Sequence, residues 1–416
     1  MNSNNPNKPF SIVMVGIGGY GYHYTNILIK EHYRGLIDII AVVEPFPENS
    51  SHSQWFLKQS IPIYPTLEQV YANHDHVDLV IISSPIHHHA PQSTLALCRG
   101  SHVLCDKPMA ATVQDADSLI QLKKDTGLHV LVGYQWSYST PIHSLKKDIQ
   151  KGLYGNPIRM KSLCLWPRGF EYYSRNDWAG KLKDSDGNWI LDSPANNAMA
   201  HFLHNLLYLL GNKTNTSALP SSVEAEIYKA YPIQNFDTVA ARIFVNNETE
   251  LLFYASHSVQ KSLGPFFKLE FENATVSYGG TSKRIICQAD HTRTKDYGNP
   301  DSENQFKKFY ESIKVIKKSK GVLCGPEAAY PHTLVVNGIQ DSAPEAYPFS
   351  PSIIKHSDTG ENLWIKDLEK ALYNCYLNSY LPSEKGVKWA VKGKQINMKK
   401  YNFFPGGQPP TKESSS

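Results

Sequence analysis

The 416 residues carry a net charge of +4 and are 41% hydrophobic and 19% charged, which is globular and too long for one compact core, so two domains are expected. No run approaches 18 apolar residues, which excludes a transmembrane helix, and the charge is too mild to point to nucleic acid. The polar start MNSNNPNKPF lacks the apolar core of a signal peptide, and six scattered cysteines form no CxxC pair. A reduced, cytoplasmic chain without metal ligands is therefore expected.

SIVMV (11–15) reads as a short buried strand, followed by a helix over about 20–33. IDIIAVV (37–43), VDLVIISS (77–84), HVLC (102–105) and HVLVGY (129–134) are further apolar strands, with helices expected at 50–59, 66–73, 88–99 and 112–126. Apolar strands separated by helices predict a parallel, doubly wound α/β sheet over 8–134, a Rossmann domain. The segment LWPRGFEYYSRNDWAGK (165–181) then crowds Trp166, Arg168, Tyr172, Tyr173, Arg175 and Trp178 together. SPANNAMAHFLHNLLYLLG (193–211) predicts a helix with Ser193 as N-cap, Pro194 at the first turn and Gly211 as the stop. On that helix Asn197, His201, His204 and Tyr208 fall within about 60° of one another, opposite a leucine face.

Beyond about 220, runs at 223–231, 237–245, 250–259 and 266–273 follow one another with short polar turns. They predict an α+β domain over 135–405 with a large, mostly antiparallel open sheet. Helices are expected over 301–318, 327–341 and 361–378. The lysine-dense stretch 307–321 reads as the solvated face of an amphipathic helix, with Phe306, Phe309, Tyr310 and Ile313 on the other face. The tails 1–7 and 406–416 are expected to be disordered.

The motif VGIGGYG places Gly16, Gly18 and Gly21 in G-x-G-x-x-G spacing directly after a strand and at the start of a helix, with Gly19 and Tyr20 between them. Such a turn brings backbone N–H groups and a helix N-terminus to a pyrophosphate. Glu44 ends the second strand, where a carboxylate accepts hydrogen bonds from ribose hydroxyls and repels a 2′-phosphate. NAD is therefore the expected cofactor, with NADP disfavoured.

SSPIHHHAPQ (83–92) and HVLCDKPMA (102–110) both lie at carboxyl ends of expected strands. Together with VGIGGYG they resemble the Gfo/Idh/MocA oxidoreductases, the family of glucose-fructose oxidoreductase and inositol dehydrogenase. The resemblance places Ser84, Pro85 and His89 on the family's Thr-Pro-Asn-x-x-His pattern. It places Asp106, Lys107 and Pro108 on its Glu-Lys-Pro signature, and Gly133, Tyr134 and Gln135 on Gly-Tyr-Gln. It implies that Ser84, Pro85, His89, Asp106, Lys107 and Gln135 join the cofactor pocket.

His201, ten residues before Gly211, matches the family's histidine, and His204 replaces its second aspartate. Where the family carries its first aspartate this chain has Asn197, and the nearby carboxylate is Asp192. Either Asp192 swings back into that role or Asn197 takes over substrate binding without ionising.

Oxidation of a secondary alcohol needs a base near neutrality and a cation beside the same oxygen. His201 and Lys107 are the candidates, with Asp192 and Asn197 as further catalytic-site residues. Trp136, Arg168, Tyr172, Tyr173, Arg175, His204 and His332 are the candidate substrate contacts, because aromatic faces and guanidinium forks suit a polyhydroxylated ring.

The expected activity is NAD-dependent oxidation of a secondary hydroxyl of a sugar or glycoside, or the reverse. Two alternatives are a glycosidase working by transient oxidation with bound NAD, and a dinucleotide or ligand sensor without turnover. The resemblance also implies a homo-oligomer, a dimer or tetramer.

Overall fold

The computed structural model describes residues 9–246, 248–289, 294–318 and 321–406; the tails expected to be disordered lie outside these, apart from Gly406. Six parallel strands, β1 (Phe10–Val15), β2 (Ile37–Val43), β3 (Ile63–Tyr64), β4 (Leu79–Ile82), β5 (His102–Cys105) and β6 (Val130–Val132), form one sheet in the order β3-β2-β1-β4-β5-β6. The crossovers carry α1 (Gly21–Tyr33), α2 (Ser53–Lys58), α3 (Leu67–Asn73), α4 (Ile86–Cys98) and α5 (Val113–Thr126).

Val13, Val15, Val80 and Ile82 pack on one face of this sheet and Ile12, Met14, Leu79 and Ile81 on the other. Burial on both faces is why the strands read as unbroken apolar runs. The edge strand β3 was not expected: two residues paired with Val42 and Val43 are too short to show a period. The chain starts mid-sheet and winds outward in both directions, so a crevice opens between the carboxyl ends of β1 and β4.

The second half contains α6 (Thr140–Gln150), β7 (Pro157–Leu165), α7 (Phe170–Ser174), α8 (Ala200–Leu209), β8 (Pro220–Lys229), β9 (Thr238–Val245) and β10 (Thr249–Ser256). It continues through β11 (Leu263–Phe271), β12 (Ala274–Gly279), β13 (Arg284–Ala289), β14 (Thr294–Gly298), α9 (Lys307–Lys318) and α10 (Pro326–Ser342). It ends with β15 (Tyr347–Pro348), β16 (Ile354–His356), β17 (Leu363–Ile365), α11 (Leu368–Asn378) and β18 (Ile396–Asn397).

Nine of these strands run in the order β14-β13-β12-β11-β7-β10-β9-β8-β15, with β18 also pairing with β8. Neighbours are antiparallel except for β7 with β10 and β15 with β8. Strand β7, missing from the sequence reading, sits centrally between β10 and β11. Its last residues lead directly into the aromatic segment, which masks the strand's end.

One face of this sheet shares a core with α8 and α10, including Leu203, Leu206, Val335 and Ile339. The other face is covered by the chain's own C-terminal segment, where Leu368, Leu372 and Tyr376 meet Leu163, Leu165 and Tyr254.

The helix expected from Ser193 becomes regular only at Ala200. Ser193 does cap a turn, its Oγ accepting from the Asn196 amide at 3.3 Å, but residues 193–199 are successive turns. Asn196 and Asn197 spend their side chains on Leu191 O and Asp192, an alternative to helix bonding that asparagine commonly takes.

Candidate active site between the two sheets

The glycine turn leaves β1 with the Gly16 amide bonded to Val43 O at 2.9 Å. Gly16 has φ +80°, and a Cβ there would lie 2.9 Å from Ser83 O; a Cβ on Gly21 would lie 1.9 Å from Gly16 O. These two glycines close the turn. At Gly18 and Gly19 a Cβ would meet nothing within 4 Å, so open space lies over the backbone at the amino end of α1. That helix has no side-chain cap and no acidic residue in its first turn. Its N–H groups and positive dipole end suit a pyrophosphate.

Glu44 accepts from the Ile17 amide through Oε2 at 3.1 Å and from the Phe46 amide through Oε1 at 3.2 Å. The carboxylate is thus fixed beside the loop with lone pairs left over for a ribose diol. Loop, helix end and carboxylate together fit NAD. Ser84 Oγ donates to Gln92 Oε1, and Pro85 leads into α4. His89 is buried, with Nδ1 2.6 Å from Pro108 O and Nε2 2.8 Å from Ser84 O. It staples the exits of β4 and β5 beneath the crevice and presents no open wall.

At the end of β5, Asp106 accepts a hydrogen bond from Lys308 at 3.2 Å. The Lys308 ammonium also donates to Gly133 O at 3.2 Å and lies 3.4 Å from Tyr20 OH and 4.8 Å from the Tyr20 ring centre. Lys308 belongs to the lysine-rich stretch read as solvated. Lys314, Lys317 and Lys318 do face solvent, but Lys308 is 1% exposed and inserts between Tyr20, Tyr24 and Asp106. Phe306 stacks on Tyr20 beside it. Helix α9 therefore reaches back from the second half onto the glycine loop. The signal for this was the aromatic pair Phe306 and Phe309 flanking Lys308, a pattern that also suits an ordinary amphipathic helix.

Lys107 crosses to the other half. Its Nζ donates to Asn197 O at 2.7 Å and to Asn197 Oδ1 at 3.1 Å. Asn197 Nδ2 in turn donates to Asp192 Oδ1 at 2.8 Å, and Asp192 Oδ2 accepts from the Gly180 amide at 2.6 Å. Both alternatives for the missing aspartate are thereby joined: Asn197 contacts the lysine, and Asp192 stands behind Asn197. Burial raises the Asp192 pKa, opposed by the Gly180 amide and by Arg175, Asn197 and Lys107. Burial lowers the Lys107 pKa, and Lys308 and Arg175 add to the effect while Asp106 and Asp192 oppose it.

His201 is partly exposed on α8, edge-on to Tyr134 at 5.9 Å, and its Nδ1 has no hydrogen-bond partner among the described residues. Burial and the Lys107 and Lys308 charges hold its pKa well below 6.5, so the imidazole is neutral at pH 7 and able to take a proton.

Two guanidinium groups approach the Tyr172 ring, Arg175 at 3.7 Å and Arg168 at 5.2 Å from its centre. His257 approaches the same ring at 5.3 Å, and Tyr173 packs on Tyr231 at 4.9 Å. Three expected substrate contacts are instead core residues. Trp136 is 3% exposed, donates to Asp301 Oδ1 at 2.7 Å and packs on Phe202 and Tyr278. His204 is stacked at 3.7 Å on Tyr134 with Nε2 2.9 Å from Ser137 Oγ. His332 is fully buried with Nε2 3.0 Å from Ala195 O, supporting the turns before α8. A histidine stripe looks the same in sequence whether it faces a ligand or a tyrosine. Gln135, expected in the cofactor pocket, opens a short helical turn beside a cleft lined by Ser139, Asp301, Glu303 and Lys307.

No helix among the described residues is long and apolar enough to cross a membrane. Residues 10–134 match the model of an oxidoreductase family with an NAD-binding Rossmann fold, Gfo/Idh/MocA. A 1-carboxy-3-chloro-3,4-dihydroxycyclohexa-1,5-diene dehydrogenase of Comamonas testosteroni is 34% identical over 93 residues, 22% of this chain and 23% of that protein. The rhizopine catabolism protein MocA of Rhizobium meliloti is 25% identical over 147 residues, 35% of this chain and 44% of that protein. The matches therefore span under half the length of these curated relatives.

The WlbA dehydrogenase from Bordetella pertussis, solved with NADH and UDP-GlcNAcA, superposes with a TM-score of 0.67 over 81% of this chain and 97% of its own, at 19% identity. At that identity the likeness is one of fold, and it spans both sheets. With its glycine loop, Glu44 and the Asp106–Lys107 turn in one crevice, this chain is similar over residues 10–134 to the Gfo/Idh/MocA oxidoreductases.

Proposed function

We propose that the protein is an NAD-dependent dehydrogenase that interconverts a secondary hydroxyl of a sugar or glycoside and the corresponding ketone. The observation that carries this reading is the bridge from Lys107 Nζ to Asn197, 2.7 and 3.1 Å long, which sets the nucleotide crevice against the start of α8. When bound at the glycine loop, NAD supplies the hydride acceptor.

An ammonium has three donors, and Asn197 takes two from Lys107. The third is left for the reacting oxygen, whose developing negative charge it stabilises. The neutral His201 imidazole accepts the hydroxyl proton, and its unpartnered Nδ1 leaves the ring unconstrained by a carboxylate. Proton uptake puts a third cation beside Lys107 and Lys308, so His201 is a weak base that acts together with the loss of hydride. Asn197 and Asp192 are positioning residues that fix where the Lys107 charge sits.

The test is incubation of the purified protein with NAD and a panel of sugars, glycosides and inositols, following NADH. Accumulation of NADH with at least one of them is the expected result, and its loss in a Gly18→Val protein ties it to the loop. Glycoside cleavage without NADH accumulation, or no reaction anywhere on the panel, overturns the proposal.

A further inference from the structure

Among the described arginines, Arg34, Arg159, Arg242 and Arg284 each meet a carboxylate. Arg99 lies over the Tyr71 ring, and neither Arg168 nor Arg175 meets a carboxylate among the described residues. Their hydrogen bonds run to backbone carbonyls of their own segment, Arg168 Nη1 to Pro167 O at 3.2 Å and Arg175 Nη1 to Tyr172 O. The segment itself is pinned: the Arg168 amide donates to His257 O, the Arg168 carbonyl accepts from Tyr231 OH, and the Ala179 amide donates to Asn176 Oδ1. Two guanidinium groups, an exposed Arg175 and a half-buried Arg168, thus lie against the Tyr172 ring, and each has N–H donors to spare.

The buried side of their neighbourhood is short of negative charge. Gly180, at the end of the same segment, donates its amide to Asp192 Oδ2 at 2.6 Å, and the Arg175 charge is felt at both Asp192 and Lys107, so the segment lies beside the same crevice. Two cations, Lys107 and Arg175, act on the buried carboxylate Asp192, which is 2% exposed and pushed toward its neutral form. The segment carries two acids of its own, Glu171 and Asp177, both exposed, and three further acids nearby are engaged elsewhere. Asp106 is paired with Lys308, Asp237 accepts from the Ala230 and Tyr231 amides, and Asp184 faces His87 and the Asn188 side chain. His257, beside Tyr172, has its pKa lowered to about 3 by burial and by both arginines and adds no charge.

We propose that the substrate is an acidic sugar, whose carboxylate, sulfate or phosphate is held by Arg168 and Arg175 while the reacting hydroxyl lies at Lys107. The inference rests on the dehydrogenase reading and narrows it. A planar guanidinium fork matches such oxyanions in two parallel hydrogen bonds, and a segment fixed by backbone bonds holds the fork ready.

The experiment compares matched pairs with the full-length protein and NAD: glucuronate with glucose, galacturonate with galactose, and glucose 6-phosphate and glucose 6-sulfate with glucose. Both kcat/KM and thermal stabilisation of the NAD-saturated protein are read. The acidic member of at least one pair is expected to win by roughly 10- to 100-fold, the worth of one or two charge-assisted hydrogen bonds. Which acid wins distinguishes carboxylate from sulfate and phosphate.

Arg175→Gln and Arg168→Gln are expected to shrink the acidic-to-neutral ratio by about tenfold each, and Arg175→Lys to shrink it less. Neutral sugars turned over as well as acidic ones, or variants that leave the ratio unchanged, overturn the inference and leave the dehydrogenase reading standing. A panel without any NADH formation overturns that reading, and this inference falls with it.

Discussion

The nucleotide side and the reaction side of the crevice are built in opposite ways. The nucleotide side takes Gly16, Gly18, Gly21 and Glu44 from 29 consecutive residues, fixed by one strand-turn-helix unit and its neighbouring strand. The proposed reaction side takes Lys107, Asp192, Asn197 and His201 from the two halves of the chain, the first three joined through side-chain hydrogen bonds. A site made of local backbone is robust to change around it. A site assembled across two sheets depends on every bridge between them, and Lys308 shows that even the nucleotide side borrows one long-range support.

The contrast breaks most sharply at His201 and Lys107. His201→Ala is expected to lower turnover by roughly 10²- to 10⁴-fold with NAD affinity nearly unchanged, since the imidazole sits on α8 and not on the glycine loop. Lys107→Ala is expected to be as damaging. Steady-state kinetics beside NAD titration by fluorescence separate the two effects; equal loss of NAD binding in His201→Ala would mean that the two sides are not separable.

Lys308→Met probes the borrowed support. Removing one partner leaves Asp106 buried without its cation, which costs about 3–5 kcal/mol. A large fall in the denaturation midpoint is expected, with partial recovery when Asp106→Asn is added. A single variant as stable as the parent would place Lys308 outside the docking of α9.

Acid should loosen the reaction side. Burial lowers the pKa of His332 to about 4 and that of His257 to about 3, against 6.5 for the unfolded chain. Below pH 6.5 the unfolded state binds protons that the folded state refuses. Stability is therefore full above 6.5 and lost as pH falls toward 4, by roughly 3 kcal/mol for each histidine. Chemical denaturation between pH 7.5 and 4.5 checks this, and a flat profile would contradict it; His332→Asn should flatten the slope.

The smallest effect is expected at Glu44. Glu44→Ser removes the carboxylate that would repel a 2′-phosphate and should narrow the preference for NAD over NADP by about tenfold, measured as the ratio of dissociation constants. A parent protein that binds NADP more tightly than NAD would reverse the reading of this residue.

What the sequence determined by itself was the nucleotide side. Apolar runs of strand length, a glycine pattern directly after the first of them and an acid at the end of the second carry backbone geometry, and backbone geometry is local. The same locality made the alternation of strands and helices legible through 134. Tertiary structure alone decided the rest. Whether His204 and His332 meet a ligand or a tyrosine core depends on what packs against their helices, and both proved to be buried. Strand β7 and the insertion of Lys308 depend on partners more than ninety residues away. Asn197 and Asp192 remained two alternatives until the turns before α8 placed one behind the other. Such choices are settled by burial and by long-range hydrogen bonds, neither of which leaves a period or a fixed spacing in the chain.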